Sequence, residues 1–490
     1  MNTRVSLAEI GAGLGRPATL DDVPDATLDR WAANGFDWIW PLGIWQTGEA
    51  GRRISLTRPD WLREYRELLP DFTPDDVCGS PFAVREYVVH AEFGCPQALA
   101  RFRRRLATRG LRMMLDFVPN HTALDHAWAR EQSPYYVAGK EDDLAREPGN
   151  YCRIATADGP RVLAHGRDPY FPGWPDTLQV NYRHAGLRAA MTRVLGDIAR
   201  QCDGVRCDMA MLLIPDVIAR TWGERATPTD GTRPIDVSFW SDAIEQTRRE
   251  SPGFVFMAEA YWDLEWTLQQ QGFDYTYDKR LYDRLMCRDG AAVRAHLRAD
   301  IDYQRRSARF LENHDEPRAA AVFPPPIEQA AAVIALLLPG LRFVHDGQRS
   351  GRRLRTSNHL RRRAPEPVDR EIEAFYDRLF ACMRRPEVRN GEWSLLDPLP
   401  AWDGNPTSDR FVAYAWRNDA GRLVVVVNYG ETRAQCYIRF PFPGLEGTCR
   451  LRDLVNPGIE YERNATELTT RGLYLDVGPW AHHVFEVLSR

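Results

Sequence analysis

CDGVRCDMAMLLIPD, residues 202–216, is mostly apolar, yet it holds Arg206 and Asp208 one residue apart. A β-strand sends successive side chains to opposite faces, with a period of two. A strand over 203–208 therefore puts Val205 and Cys207 on one face and Arg206 and Asp208 on the other. The apolar face packs on helices, and the charged face must meet something polar. A single such pair is by itself an ordinary salt bridge at a strand end. Its meaning depends on what surrounds it in the chain.

Outward from this stretch, apolar strands alternate with helical segments. FDWIWPLGI (36–44) reads as a strand, LARFRRRLATRG (99–110) as a helix ending at Gly110, and RMMLDFV (112–118) as the next strand. AGLRAAMTRVLGDIARQC (185–202) is an amphipathic helix that feeds DGVRCD. FWSDAIEQTRRE (239–250) is a helix before the strand FVFMAE (254–259), and RRSARFLEN (305–313) and LRFVHDG (341–347) are further strands. Repeated helix-then-strand units predict a parallel sheet. Their number favours a closed eight-stranded (β/α)8 TIM barrel over an open sheet.

Two regions break the rhythm. Residues 122–180 are rich in Pro, Gly, Asp and aromatics, and are too long for a plain loop; residues 45–80 are a second, shorter insertion. From about 390 the chain turns to short strands with turn signals, RFVAYAWR, RLVVVVNYG, AQCYIRFPF, GLYLDV and AHHVFEVL, which predict an all-β sandwich. The expected organisation is a catalytic barrel over 1–121 and 181–388, an excursion domain over 122–180 after the third strand, and a C-terminal β-sandwich over 389–490.

Composition limits the function classes. The 490 residues carry a formal net charge of -4, with 44% apolar and 27% charged residues, which is ordinary for a globular protein. Only Lys140 and Lys279 are lysines, and acids balance the abundant Arg, so nucleic acid is not an expected partner. The nine Cys are scattered without CxxC spacing, which reads as reduced structural cysteine in a cytoplasmic protein. Glu9 and Arg16 interrupt the N-terminal stretch, so no signal peptide is expected. AAAVIALLLPG (330–340) is too short to span a bilayer, so no membrane partner is expected.

In a parallel barrel the active site lies at the C-terminal strand ends. Four such ends here carry polar clusters: Asp116, Asn120 and His121 in DFVPNH, Arg206 and Asp208 in GVRCD, Glu259 in FMAEAYW, and Asn313, His314, Asp315 and Arg318 in ENHDEPR. One acid at a strand end is commonplace; four clusters with two His and two Arg are not. Glycoside hydrolysis uses one carboxyl as acid and a second as nucleophile or base. A zinc site is the competitor, but no HxH or HExxH occurs, and no GxSxG supports a serine hydrolase.

DFVPNH, GVRCD, Glu259 and ENHDEPR, in this order along the whole chain, resemble the α-amylase superfamily, glycoside hydrolase family 13. The resemblance implies that Asp208 is the nucleophile, Glu259 the general acid/base and Asp315 a third carboxylate holding the sugar's ring hydroxyls. It implies that Arg206 keeps Asp208 ionised, and that His121 and His314 donate to the same sugar. Asp116 would support the site from beneath, and Arg318 of NHDEPR would lie near a donor or acceptor sugar. SPFAVREY (80–87) takes the place of the family's Tyr-Asp segment, with Phe82 as the platform under the bound glucose and Ala83 in place of the Asp. Met211 and Leu212 stand where the family often has Lys-His, which argues against an ordinary endo-acting amylase. Gln179 in LQVN (178–181) stands where calcium-binding members have an Asp, so no metal and no other cofactor is expected.

The expected function is a retaining α-glycosidase or α-glucanotransferase acting on short α-glucan oligosaccharides or disaccharides. A transferase or phosphorylase using sucrose- or trehalose-type donors is the alternative in the same class. A non-catalytic carbohydrate-binding or interaction module is the alternative of another class.

Overall fold

The computed structural model describes residues 1–489. The chain forms two compact units, Met1–Thr276 with Thr356–Pro365, and Tyr277–Arg355 with Glu366–Arg490.

In the first unit, β1 (Trp38–Ile39), β2 (Arg112–Phe117), β3 (Gly204–Cys207), β4 (Val255–Ala258) and β5 (Tyr275–Tyr277) lie side by side in chain order, each parallel to the next. A single parallel bridge, Asn2 to Leu42, adds a further pairing. In the second unit β6 (Ser307–Arg309) and β7 (Leu341–Arg342) also pair in parallel. Parallel strands linked by helices, such as Pro96–Ala107, Ala185–Ala199 and Trp240–Glu250, make the fold a (β/α)8 barrel.

The strands are shorter than their apolar runs. FDWIWPLGI keeps only Trp38–Ile39 because Pro41 lacks an N–H and Gly43 adopts φ +72°. The Gly43 N–H leaves the ladder and donates to the Asp116 carboxylate at 2.9 Å. The short strand YTY at β5 escaped the sequence reading, since three residues show no period.

Residues 122–180 hold two antiparallel pairs, His121–Ala123 with Thr177–Gln179 and Tyr151–Thr156 with Gly159–Ala164, plus short helices Ala127–Glu131 and Glu141–Arg146. The insertion at 45–80 contains the helices Glu49–Thr57 and Pro59–Leu68.

The C-terminal part is built of β-strands, as expected, with one short α-helix, Ala465–Thr470, among them. A six-stranded antiparallel sheet and the three strands Leu399–Pro400, Ala434–Ile438 and Leu473–Val477 enclose a core that includes Phe411, Val424, Val426, Cys436, Leu475 and Phe485. The apolar run at 330–340 lies mostly in the helix Pro325–Leu336, buried on all sides. Its carbonyls serve the β-strands: Tyr414 donates to Val333 O at 2.9 Å, and Trp416 Nε1 to Leu337 O at 2.8 Å. Among the described residues no helix is long and apolar enough to cross a membrane.

Candidate active site

The register of β2, β3 and β4 assembles the first cluster. Asp116 pairs with Arg206, and Arg206 with Met257. In a parallel sheet, residues in register share a face, and two steps on returns to that face. Asp116, Arg206, Asp208 and Glu259 therefore point the same way. The ladder continues one residue beyond the strands, with Asp208 N donating to Phe117 O at 2.8 Å and Glu259 N to Cys207 O at 3.0 Å.

One guanidinium joins these acids. Arg206 Nη1 lies 2.5 Å from Asp208 Oδ1 and 3.9 Å from Asp116 Oδ1, and Nη2 lies 2.7 Å from Glu259 Oε2. All four side chains are buried. The contact lengths and the span of one guanidinium keep these two oxygens of Asp208 and Glu259 within about 8 Å. The expectation tied Arg206 to Asp208 alone; it meets Glu259 equally well. This contact therefore does not separate the charge states of the two carboxyls.

Asp116 sits deeper. Trp40 Nε1 at 3.0 Å and Gly43 N at 2.9 Å donate to its two oxygens, which suits a support beneath Arg206. The ring of Phe82 lies 5.2 Å and that of Trp40 5.3 Å from the Arg206 guanidinium carbon, so Phe82 borders the cluster and is only half-buried. His121 hydrogen-bonds to the Phe82 backbone, and burial pushes its imidazole down to about 4, leaving it neutral at pH 7. Its ring lies 5.1 Å from that of Trp174. A Cβ on Gly166 would come within 2.8 Å of the His121 Cβ, so only glycine allows this approach.

Several contributors had not been singled out from the sequence. Met209, directly after Asp208, adopts φ 44°, a left-handed conformation that costs a non-glycine residue about 1–2 kcal/mol. This turn aims its N–H at Glu259 Oε2, 2.7 Å away. Tyr261 donates its hydroxyl to Glu259 Oε1 at 2.8 Å, and period two along FMAEAYW was the signal that could have found it. Trp262 and Asp263 follow with φ 62° and 66°, and the Trp262 ring lies 5.0 Å from that of Tyr170. Tyr170 is exposed and accepts from Arg220 Nη1 at 3.1 Å.

Met211 and Leu212 are fully buried in the one-turn helix Ala210–Leu213. They are core residues and present nothing polar at the site. The pair Asn120 and Gln179 does not fit calcium. Gln179 Nε2 donates to both Asn120 O and Oδ1 at 2.9 Å, and Asn120 Nδ2 returns a bond to Gln179 Oε1 at 3.2 Å. The carbonyl oxygens a hard cation would need are thus occupied by amide donors, with no carboxylate in the exchange. Among the described residues no group of three or more His, Cys, Asp or Glu is arranged to hold a metal.

The second unit carries the remaining predicted residues. His314 is buried and its Nε2 lies 3.0 Å from Asp315 Oδ2; the Asp315 side chain is 44% exposed. Arg318, expected near a sugar, has its guanidinium held by protein groups. It is buried at 2% exposure, and its guanidinium is engaged by Glu312 at 3.1 Å and by Asp346 O at 3.0 Å.

Comparison with known proteins identifies the family. Residues 82–362 match the model of the α-amylase catalytic domain. The chain belongs to the α-amylase superfamily, glycoside hydrolase family 13. Within family 13 it is similar to an α-amylase of Haloarcula japonica, with 25% identity over 354 residues, 70% of this chain and 47% of that protein. The chain spans about half the length of two curated α-amylases that it matches, 47% of one and 52% of the other. Its fold is shared with a noncanonic maltogenic α-amylase of Thermotoga neapolitana (TM-score 0.67, 18% identity, 95% of this chain and 94% of that one). It is shared also with a trehalose-6-phosphate hydrolase of Bacillus licheniformis (TM-score 0.63, 13% identity, 96% and 95%).

Proposed function

We propose that this family 13 chain is a retaining α-glycosidase or α-glucanotransferase that cleaves α-glucosidic bonds in short α-glucans or disaccharides. The observation that carries the reading is the single guanidinium of Arg206 shared by Asp208 and Glu259 at adjacent strand ends. In the first step Glu259 gives its proton to the glycosidic oxygen while an Asp208 oxygen attacks the anomeric carbon. The bond to the leaving sugar breaks and a glycosyl-Asp208 ester forms. In the second step Glu259 takes a proton from water or from a sugar hydroxyl, which displaces Asp208 with net retention. Asp315 acts as the third carboxylate, and His121 and His314 bind the same sugar. We take residues 122–180 as the excursion domain and 389–490 as the terminal β domain of this enzyme.

Two observations bear on specificity. The exposed Tyr170 and the adjacent Trp262 supply flat apolar surface three residues from Glu259, and we assign them to the leaving-group side. Of the four arginines at 349–355, Arg349 is paired with Glu373 and Asp377 and Arg352 lies 3.8 Å from Glu366, which leaves two of them for other partners and supports water or sugar over phosphate only at those two positions. Retention of both buried acids and their shared arginine favours an enzyme over a binding module. Product analysis with maltose, maltotriose, sucrose and trehalose, with and without phosphate, tests the reading. The expected result is glucose release or transfer products that do not depend on phosphate. No turnover of any α-glucoside by the wild-type chain would refute it.

A further inference from the structure

Glu312, the residue before Asn313-His314-Asp315, is completely buried. A buried carboxylate is costly unless it is paired and hydrogen-bonded. This one is anchored on two sides. Its Oε2 accepts from Ala319 N at 2.6 Å, at the far end of the turn that carries His314 and Asp315. Its Oε1 lies 3.1 Å from Arg318 Nη1 and 3.3 Å from His345 Nδ1. Inside the same turn, Asn313 Oδ1 accepts from Asp315 N and Glu316 N, both at 2.8 Å. The backbone of 312–319 is thus fixed at both ends and in the middle.

The anchor reaches the next strand end. Arg318 donates to Asp346 O through Nη1 at 3.0 Å and Nη2 at 3.1 Å, and meets His345 Nδ1 at 2.9 Å. Gly347 adopts φ +95°, and a Cβ there would stand 2.5 Å from Arg318 Nη2, so the guanidinium approaches backbone that only glycine can provide. Behind it, Gln348 Oε1 accepts from His345 N at 3.2 Å, Gln348 Nε2 donates to the Tyr376 hydroxyl at 2.9 Å, and that hydroxyl donates to Glu328 at 3.1 Å. The loops after β6 and β7 are therefore fastened together by Glu312, Arg318 and His345. Asp315 is half-exposed and its Oδ2 lies 3.0 Å from His314 Nε2, so the aim of its carboxylate depends on the turn that carries both residues.

We propose that Glu312 is a positioning residue: with Arg318 and His345 it fixes the turn that presents His314 and Asp315, and through that turn it sets the binding of the transition state. The inference rests on the reading of Asp315 as a site carboxylate. A displacement of about 1 Å in a catalytic group is enough to cost about 10²-fold in rate.

The test uses the full chain, maltotriose as substrate and acarbose as a transition-state-like inhibitor. Glu312→Gln keeps the shape and removes the charge. It is expected to lower kcat about 30–300-fold with KM within about threefold, and to raise the acarbose inhibition constant in proportion to the loss of kcat/KM. A purely structural role would reduce the number of active molecules and leave acarbose affinity per active site unchanged, which overturns the proposal, as does a kcat/KM within about threefold of wild type. If Glu312→Gln alone does not fold, Glu312→Gln/Arg318→Gln removes both buried charges together and must show the same parallel loss; near-wild-type activity in that variant overturns the proposal. A wild-type chain inert on every α-glucoside refutes the functional reading and this inference with it. An active wild type with an equally active Glu312→Gln refutes this inference alone.

Discussion

The two units hold their acids in opposite ways. In the first, Asp208 and Glu259 are buried and gripped directly by Arg206, with Met209 N and Tyr261 OH adding donors to Glu259. In the second, the Asp315 side chain is half-exposed and meets His314 Nε2 at 3.0 Å, and the turn that carries both is held through buried Glu312 and Arg318. A group that forms or breaks a bond must have its own oxygens aimed. A group that binds hydroxyls needs a fixed base and can let its side chain adjust. The difference predicts that substitutions at the two places fail differently, by chemistry in the first unit and by positioning in the second.

The largest effect should come from the acids of the first unit. Asp208→Asn and Glu259→Gln are each expected to lower kcat by about 10⁴-fold or more on any α-glucoside substrate. Activity within tenfold of wild type in either would break the comparison. Arg206→Met comes next: it strands buried carboxylates, and should cost about 3–5 kcal/mol of stability and about 10²–10³-fold in kcat. Denaturant unfolding and steady-state rates check both parts. Trp262→Ala should raise KM for maltotriose about tenfold and leave kcat for an activated aryl glucoside nearly unchanged, because stacking of this kind is worth about 1–1.5 kcal/mol.

A smaller effect is expected from pH. Burial holds Glu328 neutral up to about 8, whereas an unfolded glutamate ionises near 4.5. Between these values the folded chain binds more protons than the unfolded one, so stability falls as pH rises through this window. Glu328→Gln should therefore raise the Tm by about 2–4 °C at pH 8.5 and leave it nearly unchanged at pH 4.5. A rise at pH 4.5 equal to that at pH 8.5 contradicts the assignment. The smallest effect is for metal removal: EDTA should leave Tm and kcat unchanged, since Asn120 and Gln179 satisfy each other.

Much of the first cluster was legible because a strand has a fixed period and a parallel sheet a fixed register. GVRCD and FMAE needed only those rules to put Arg206, Asp208 and Glu259 on one face. The barrel and the C-terminal β part were legible for the same reason. What escaped is of two kinds. Tyr275–Tyr277 was too short to show a pattern, and Pro41 and Gly43 cut the first strand short. The burial of Arg318 against Glu312 was not legible, because a sequence does not reveal which acid an arginine will meet. Glu312, His345 and Asp346 come from two different loops, and only the fold joins them. Met209 escaped because nothing in its side chain announces a left-handed backbone.

The most direct test of the account is covalent trapping. The chain is incubated with a 5-fluoro-α-glucosyl fluoride, and the labelled peptide is located by mass spectrometry. The predicted result is one glucosyl adduct on the Asp208 carboxylate, absent from Asp208→Asn and accumulated in Glu259→Gln. An adduct on Glu259 or any other residue, or turnover with inversion at the anomeric carbon and no adduct, would contradict it.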